Sequence, residues 1–146
     1  MDQLKQYFMQ QGVFSWTELM TTDVALAKNF YGDLLGWTFQ DQEMACGGTY
    51  SMAIVNGRPV AGLCVMPPAV PAGVPPHWGA YVTVNDVDEA TKKAESLGGR
   101  VLVAPMDIPG IGRFSVIADP QGAAISLFSF PSDAKGCSCC CSKKTD

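Results

Sequence analysis

The residue of this chain with the clearest capacity for chemistry is Glu18, a carboxylate inside an otherwise mostly apolar segment that runs from Phe14 to Met20. Burying a carboxylate costs free energy unless a partner or a solvated cavity compensates for it. The segment therefore predicts one of two roles for Glu18: a polar group that lines a pocket, or a structural ion pair with Arg113 or Arg58. In a dry pocket, burial would raise its pKa, and the carboxyl group could then act as an acid or a base.

His77 is the only histidine of the chain, and it is the one side chain whose unperturbed pKa lies near neutrality. It follows two prolines at the start of a predicted strand, so it belongs either to the surface of a linker or to a pocket. Trp16, beside Glu18, and the pair Trp78 and Tyr81, beside His77, are either core residues or pocket walls. Aromatic walls with few polar groups are typical of small-molecule sites.

The segment from Pro105 to Gly112 combines prolines with glycines and is predicted to form a loop in front of Arg113. This loop has two interpretations. It is either a plain hairpin connection or a lid over a pocket, in which Met106, Ile108 and Phe114 touch the ligand.

The cysteines divide into two groups, because two lie in the body of the chain and four crowd its end. Neighbouring cysteines such as the terminal ones cannot easily cross-link a fold, so the pattern does not indicate a disulfide framework. For the body, which holds Cys46 and Cys64, a reducing compartment is favoured and a cytoplasmic location is predicted. The terminal group is interpreted as a flexible extension, as a site for a soft metal such as Zn²⁺ or Cu⁺, or as an acylated anchor beside two lysines. A membrane would be a partner only in the last case. The four terminal cysteines are Cys137, Cys139, Cys140 and Cys141.

The overall composition is that of a folded domain, with 47% apolar and 16% charged residues. Ten basic against fourteen acidic residues give a net charge of −4. A nucleic-acid partner is not expected, because neutralising phosphates requires a basic surface. The sequence shows no apolar run of the length that spans a bilayer and no secretory signal pattern.

Hydrophobic periodicity divides the chain into two halves with the same order of elements: strand, helix and three strands. Asp23 and Asp86, 63 residues apart, supply the N-caps of the two predicted helices. The matching order and caps indicate an internal duplication. The predicted organisation is an N-terminal arm at 1–11, a first βαβββ module at 12–66, a Pro-rich linker at 67–76, a second βαβββ module at 77–131 and a Cys-rich tail at 132–146.

Two side-chain patterns predict which faces of the first elements are buried. Alternation along the first strand puts Phe14, Trp16, Glu18 and Met20 on one face, away from the helix that follows. In that helix, spacings of three and four residues predict one apolar face. Its members are Val24, Ala27, Phe30, Tyr31 and Leu34.

Five motifs follow one another along these elements. They are the first opening from Phe14 to Trp37, Ala61-Gly62 after the hairpin, the second opening from Trp78 to Asp88, Leu97-Gly98-Gly99, and Asp119-Pro120-x-Gly122. In this order they resemble the vicinal oxygen chelate superfamily, which contains glyoxalase I, bleomycin-resistance proteins and extradiol dioxygenases. The resemblance implies an α+β fold: two βαβββ modules that form a cupped mixed β-sheet with the helices outside and a pocket inside.

In the metal-dependent enzymes of this superfamily, the first and last strands of each module supply the ligands of one divalent ion. The corresponding positions here hold no ordinary metal ligand; they fall near Trp16, Gly62, Gly79 and Ser126. The resemblance therefore implies that the body of this chain has no cofactor. A divalent metal held by Glu18 and His77 is the alternative.

The resemblance implies a function in small-molecule binding, of the glyoxalase or bleomycin-resistance type, in the cup between the modules. The alternative is a divalent-metal-dependent lyase of the glyoxalase type, or a dioxygenase, that uses Glu18 and His77. Because short members of this superfamily commonly complete their cups with a partner, a homodimer is also implied. The expected ligand-binding residues are Trp16, Glu18, His77, Tyr81, Met106, Arg113 and Phe114.

Overall fold

The structure is a computed structural model that describes residues 3–44, 47–68 and 70–131. Within them the chain forms three helices and eight strands. The elements are α1 (Gln3–Phe8), β1 (Phe14–Thr21), α2 (Val24–Leu35), β2 (Thr38–Glu43), β3 (Thr49–Val55), β4 (Arg58–Val65), β5 (His77–Thr83), α3 (Val87–Ser96), β6 (Arg100–Ile108), β7 (Gly112–Ala118) and β8 (Ala124–Ser129). Over the described residues, no helix has the length and apolar content that crossing a membrane requires.

The strands form a single sheet in the order β2-β3-β4-β1-β5-β8-β7-β6. The first strands of the two modules, β1 and β5, pair antiparallel at its centre. Each of them also pairs parallel with the last strand of its own module, β4 or β8. The predicted α+β fold, with paired βαβββ modules and a mixed sheet, is confirmed.

The two longer helices begin where the sequence predicts, because an aspartate caps each of them. The Asp23 carboxylate accepts a hydrogen bond from the Leu26 backbone nitrogen at 3.0 Å, and Asp86 accepts one from the Glu89 nitrogen at 3.0 Å. Such a cap satisfies a backbone N–H that has no partner within the helix. Gly36 ends α2 with φ 71°, a left-handed conformation that suits glycine.

Both helices pack on the same face of the sheet, and the buried apolar clusters lie beneath them. Leu19 and Leu63 are buried on the α2 side, and Val87 and Leu127 on the α3 side. Side chains alternate along a strand, so the residues between these positions project from the opposite face. We call this second face, which carries Trp16, Glu18, Tyr81 and Ser126, the open face.

The apolar face of α2 is narrower than its periodicity predicts. Val24, Ala27 and Tyr31 pack against the buried cluster. Phe30 and Leu34, by contrast, are 60% and 62% exposed. The prediction that all five side chains are buried together is therefore wrong for these two, because the sheet contacts only one side of the helix.

A β-bulge in β1 decides which face Phe14 occupies. Trp16 pairs with Tyr81, whereas Phe14 pairs with Val82, so Ser15 is an extra residue in β1. Tyr81 and Val82 are neighbours in β5 and project from opposite faces. The prediction that Phe14 shares a face with Trp16 is therefore wrong, because simple alternation assumes a strand without a bulge.

The segment predicted as a loop, Pro105 to Gly112, is largely strand. β6 continues to Ile108, which pairs with the first residue of β7. The pairing shifts register between Val103 and Met106, where Pro105 lies. Pro105 has no N–H to donate to a neighbouring strand, so it suits a position where the regular pairing is interrupted. The connection is thereby shortened to residues 109–111.

Candidate functional site

Glu18 lies at the centre of the open face, in the middle of β1. It is opposite Gly62 on β4 and opposite Gly79 on β5. Neither neighbour has a side chain, so the space above both strands is left to groups that reach in from elsewhere. The Glu18 side chain is nonetheless buried, with the residue only 8% exposed.

Two tyrosines hold the Glu18 carboxylate. The Tyr50 hydroxyl donates to Glu18 Oε2 at 2.8 Å, and the Tyr81 hydroxyl donates to Oε1 at 3.1 Å. The Cys64 thiol is a third hydrogen-bonding neighbour of the carboxylate. Trp16 Nε1 donates to the Tyr50 oxygen at 2.7 Å, which fixes the phenol in place. We call these five residues the Glu18 cluster.

Tyr50 reaches Glu18 only because Gly62 lies between them. Tyr50 is on β3, and its side chain extends over β4 to reach β1. A Cβ atom at Gly62 would collide with the Tyr50 phenol. The glycine therefore lets a tyrosine from a strand two positions away complete the Glu18 cluster.

Burial dominates the electrostatics of the Glu18 cluster. It raises the pKa of Glu18 above its usual value, although hydrogen bonds from Tyr50, Tyr81 and Cys64 oppose the shift. Burial and the neighbouring Glu18 charge also raise the pKa of both tyrosines, and they raise the pKa of Cys64 to about 12. At neutral pH the three neighbours are therefore protonated donors.

The structure brings three of the predicted site residues, Trp16, Glu18 and Tyr81, into one network. Two more lie on the same face: Phe114 pairs with Phe128 and with Met106. The Phe128 ring is 6.4 Å from the Tyr81 ring, between centroids. Met106 and Phe114 are thus placed on the second module's part of the open face, beyond Phe128.

His77 is separated from the Glu18 cluster. It pairs with Met20, two positions along β1 from Glu18. It is exposed, and its Nδ1 atom lies 2.9 Å from the Pro75 carbonyl oxygen. The structure therefore places His77 at the start of β5 and shows no hydrogen bond between it and Glu18.

Arg113 is bonded to acidic residues on the helix side rather than to Glu18. Its guanidinium donates two hydrogen bonds to the Asp88 carboxylate, both at 2.9 Å. A third goes to Asp107 at 3.0 Å. These bonds connect β7 to the start of α3, so Arg113 has a structural partner away from the open face.

Trp78, the remaining aromatic residue of the predicted pocket, projects from the face that carries the helices. Its Nε1 atom donates to the Tyr31 hydroxyl at 3.1 Å, and its ring contacts that of Trp37. These three rings line a groove of about 430 Å³ between α2 and the sheet. Trp78 is therefore on the opposite side of the sheet from Trp16 and Tyr81.

The residues on the open face do not fit a divalent metal site. Among the described residues, no three His, Cys, Asp or Glu side chains lie close enough together to hold an ion. The positions that correspond to the superfamily's metal ligands lie around Glu18 and carry indole, hydroxyl or no side chain; they are Trp16, Gly62, Gly79 and Ser126. The terminal thiols proposed as a soft-metal site lie outside the described residues.

Sequence reasoning did not identify Tyr50 or Cys64 as parts of this network, and it considered Ser126 only as a position that corresponds to a superfamily metal ligand. Cys64 and Tyr50 are hydrogen-bonding neighbours of Glu18, and Ser126 pairs with Tyr81 between β8 and β5. The Asn56-Gly57 turn gave no signal for Tyr50, because an uninterrupted hairpin from this turn would pair Gly62 with Ser51. A register shift between Ala53 and Ile54 instead places Gly62 opposite Met52, two residues from Tyr50 on the same face.

Comparisons with known proteins give a family and a fold. The family model described as "Glyoxalase/Bleomycin resistance protein/Dioxygenase superfamily" matches residues 13–127. A Mycobacterium bovis protein named "Putative glyoxylase CFP32" is 45% identical over 120 residues, which are 82% of this chain and 46% of that protein. The "Anthracycline biosynthesis protein DauV" of Streptomyces sp. strain C5 is 34% identical over 128 residues, covering 80% of this chain and 46% of that protein. The chain thus spans about half the length of these relatives.

Among solved structures, the fold is similar to that of methylmalonyl-CoA epimerase from Mycobacterium tuberculosis. The TM-score is 0.59, at 17% sequence identity, and the match covers 90% of this chain and 99% of that one. At this level of identity the similarity shows the fold alone.

Proposed function

The chain belongs to the glyoxalase/bleomycin resistance protein/dioxygenase superfamily, and from this membership we propose that it binds a small molecule on the open face, beside Glu18. One observation carries the proposal. A buried carboxylate is held by uncharged donors on the face of the sheet opposite α2 and α3. A buried ionisable group without an opposite charge costs free energy, and such groups are concentrated at functional sites.

The relatives' names support a ligand of small-molecule size, because one refers to a glyoxylase and the other to anthracycline biosynthesis. The alternative function, a divalent-metal-dependent lyase or dioxygenase using Glu18 and His77, has less support. The two side chains are two positions apart along the paired strands, and no described third ligand accompanies them. We therefore propose binding without a resident metal in the body of the chain.

Replacing Glu18 with glutamine tests this function. The amide preserves the volume of the side chain but removes its charge, so we expect ligand affinity to fall by about tenfold or more while the fold persists. Native mass spectrometry with a mixed small-molecule library would identify wild-type ligands, and titration would compare the two proteins.

Thr17→Ala is the matched control, since Thr17 is adjacent in β1 but lines the groove on the helix side. It should bind like the wild type. Equal affinity of Glu18→Gln and the wild type for every ligand found would refute the assignment of the site.

A homodimer is the second part of this proposal. The outward side of α2 carries a strip of exposed apolar side chains, Leu26, Phe30 and Leu34, which are 66%, 60% and 62% exposed. A second copy that covered this strip would remove apolar surface from water. Light scattering should give twice the chain mass for the wild type and the single mass for Phe30→Asp. A wild-type monomer at micromolar concentration would contradict the prediction.

The cytoplasmic location also stays a proposal. Cys64 is a free, buried cysteine, and a buried thiol without a disulfide partner suits a reducing compartment. The soft-metal and acylation hypotheses for the terminal cysteines concern residues that the structure does not describe.

A further inference from the structure

We propose that the ligand of the open face is an organic cation: an amine with an apolar or aromatic body whose ammonium group binds Glu18. This inference rests on the proposed function and specifies the chemical class of its ligand. Two features of the Glu18 cluster point to it, an uncompensated charge and a largely aromatic surrounding.

The first feature is that Glu18 lacks an opposite charge. Its three hydrogen-bonding neighbours, Tyr50, Tyr81 and Cys64, are neutral donors. No basic side chain of the described residues forms an ion pair with it; the ion pairs there join Lys28 to Asp41, Lys92 to Glu89, and Arg113 to Asp88 and Asp107.

The carboxylate has acceptor capacity left for a ligand. An ionised carboxylate accepts roughly four hydrogen bonds through its two oxygens. Tyr50 and Tyr81 each donate one hydrogen bond, and the Cys64 thiol beside them is a weak donor. These neighbours do not fill the set, and a further donor that also carries positive charge would neutralise the buried anion.

The second feature is the aromatic surrounding of this carboxylate. Trp16 donates a hydrogen bond to Tyr50, and Phe128 packs against Tyr81, so the two tyrosines that bind Glu18 are themselves in contact with further aromatic rings. An ammonium group is attracted to the faces of such rings, and an apolar ligand body is compatible with them. An anionic ligand would instead meet the Glu18 charge in a protein whose net charge is −4.

A matched series of three probes with one aromatic body tests the inference: naphthylethylamine, naphthylethanol and naphthylacetate. At neutral pH these are a cation, a neutral donor and an anion. We expect the wild type to bind the amine about tenfold or more tightly than the alcohol, since a charge-assisted hydrogen bond exceeds a neutral one, and to bind the acetate most weakly. Isothermal titration would give the three affinities.

Two variants complete the experiment. Glu18→Gln should bring amine affinity down to that of the alcohol, and Thr17→Ala should leave the order of the three probes unchanged. Circular dichroism and thermal unfolding would show that both variants are folded.

The outcomes separate the two proposals. If the alcohol binds as tightly as the amine and Glu18→Gln weakens both, the open face binds ligands but the cation assignment is wrong. If the acetate binds most tightly, the cation assignment is also wrong. If no probe binds and the library screen on the wild type finds no ligand, both proposals fail.

Discussion

Replacing Gly62 with alanine is expected to destabilise the protein by about 3 kcal/mol or more, although it adds one methyl group. The new Cβ would occupy the place of the Tyr50 phenol. Tyr50 would have to leave Glu18, so the variant would lose a hydrogen bond to a buried carboxylate in addition to accommodating the overpacking. Urea unfolding at neutral pH would measure the loss.

Gly79→Ala is the matched control, because Gly79 faces the same Glu18 from the other side. The nearest atom to a Cβ at Gly79 is the Glu18 backbone oxygen, at an ordinary 3.9 Å. We expect little change there, since alanine suits a strand at least as well as glycine does.

A second control tests the cause of the Gly62 effect. In a Tyr50→Leu background, Gly62→Ala should cost much less, because the phenol with which the methyl group collides is gone. An equal cost in both backgrounds would show that Tyr50 does not lie over Gly62.

Removing both phenol hydroxyls, by Tyr50→Phe together with Tyr81→Phe, is expected to cost about 3–5 kcal/mol at neutral pH. The two hydroxyls donate to different oxygens of the same buried carboxylate. Without these hydroxyls, the ionised Glu18 carboxylate would remain buried with one unsatisfied position on each oxygen, which costs free energy. Chemical unfolding of the double variant and the wild type would measure the difference.

The cost of that double variant should depend on pH. Burial raises the folded-state pKa of Glu18 above 4.5, its usual value. Between that value and the higher folded-state pKa, the folded protein holds a proton that the unfolded chain has released, so stability falls as pH rises and then levels off. Loss of the phenol donors raises the folded-state pKa further. We therefore expect the penalty to be smallest below pH 4.5 and to grow towards neutrality.

Two controls isolate the carboxylate. Tyr31→Phe removes a phenol hydroxyl that accepts from Trp78 on the other face, and it should show no such pH dependence. In a Glu18→Gln background, the double tyrosine change should cost less at neutral pH and vary little between pH 4 and 7. A penalty that is the same at all pH values would contradict the role assigned to Glu18.

Local signals in the sequence determined the elements and their order. Asp23 and Asp86 cap the helices as predicted, and Gly36 ends α2. These signals act over a few residues, so they can be recognised without the tertiary structure. The same holds for the alternation that placed Glu18 and Trp16 on one face, because both follow the bulge.

The assembly of the open face depended on contacts between distant strands. Glu18 and Tyr81 are 63 residues apart, and Glu18 and Tyr50 are 32 apart. The sequence indicated that Glu18 needs a partner, and Arg113 and Arg58 were reasonable candidates by charge. Only the register between strands shows that the partners of Glu18 are neutral tyrosines and a thiol. Arg113 instead pairs with Asp88 on the face of the sheet that carries the helices.

The remaining differences also have long-range causes. The bulge at Ser15 is a property of the β1–β5 pairing, and it moved Phe14 to the other face. The exposure of Phe30 and Leu34 depends on how much of α2 the sheet covers. Side-chain periodicity describes one element at a time, so it predicted the elements of this protein and its central carboxylate. The close approach of Tyr50 over Gly62, which completes the site, was decided by packing between strands.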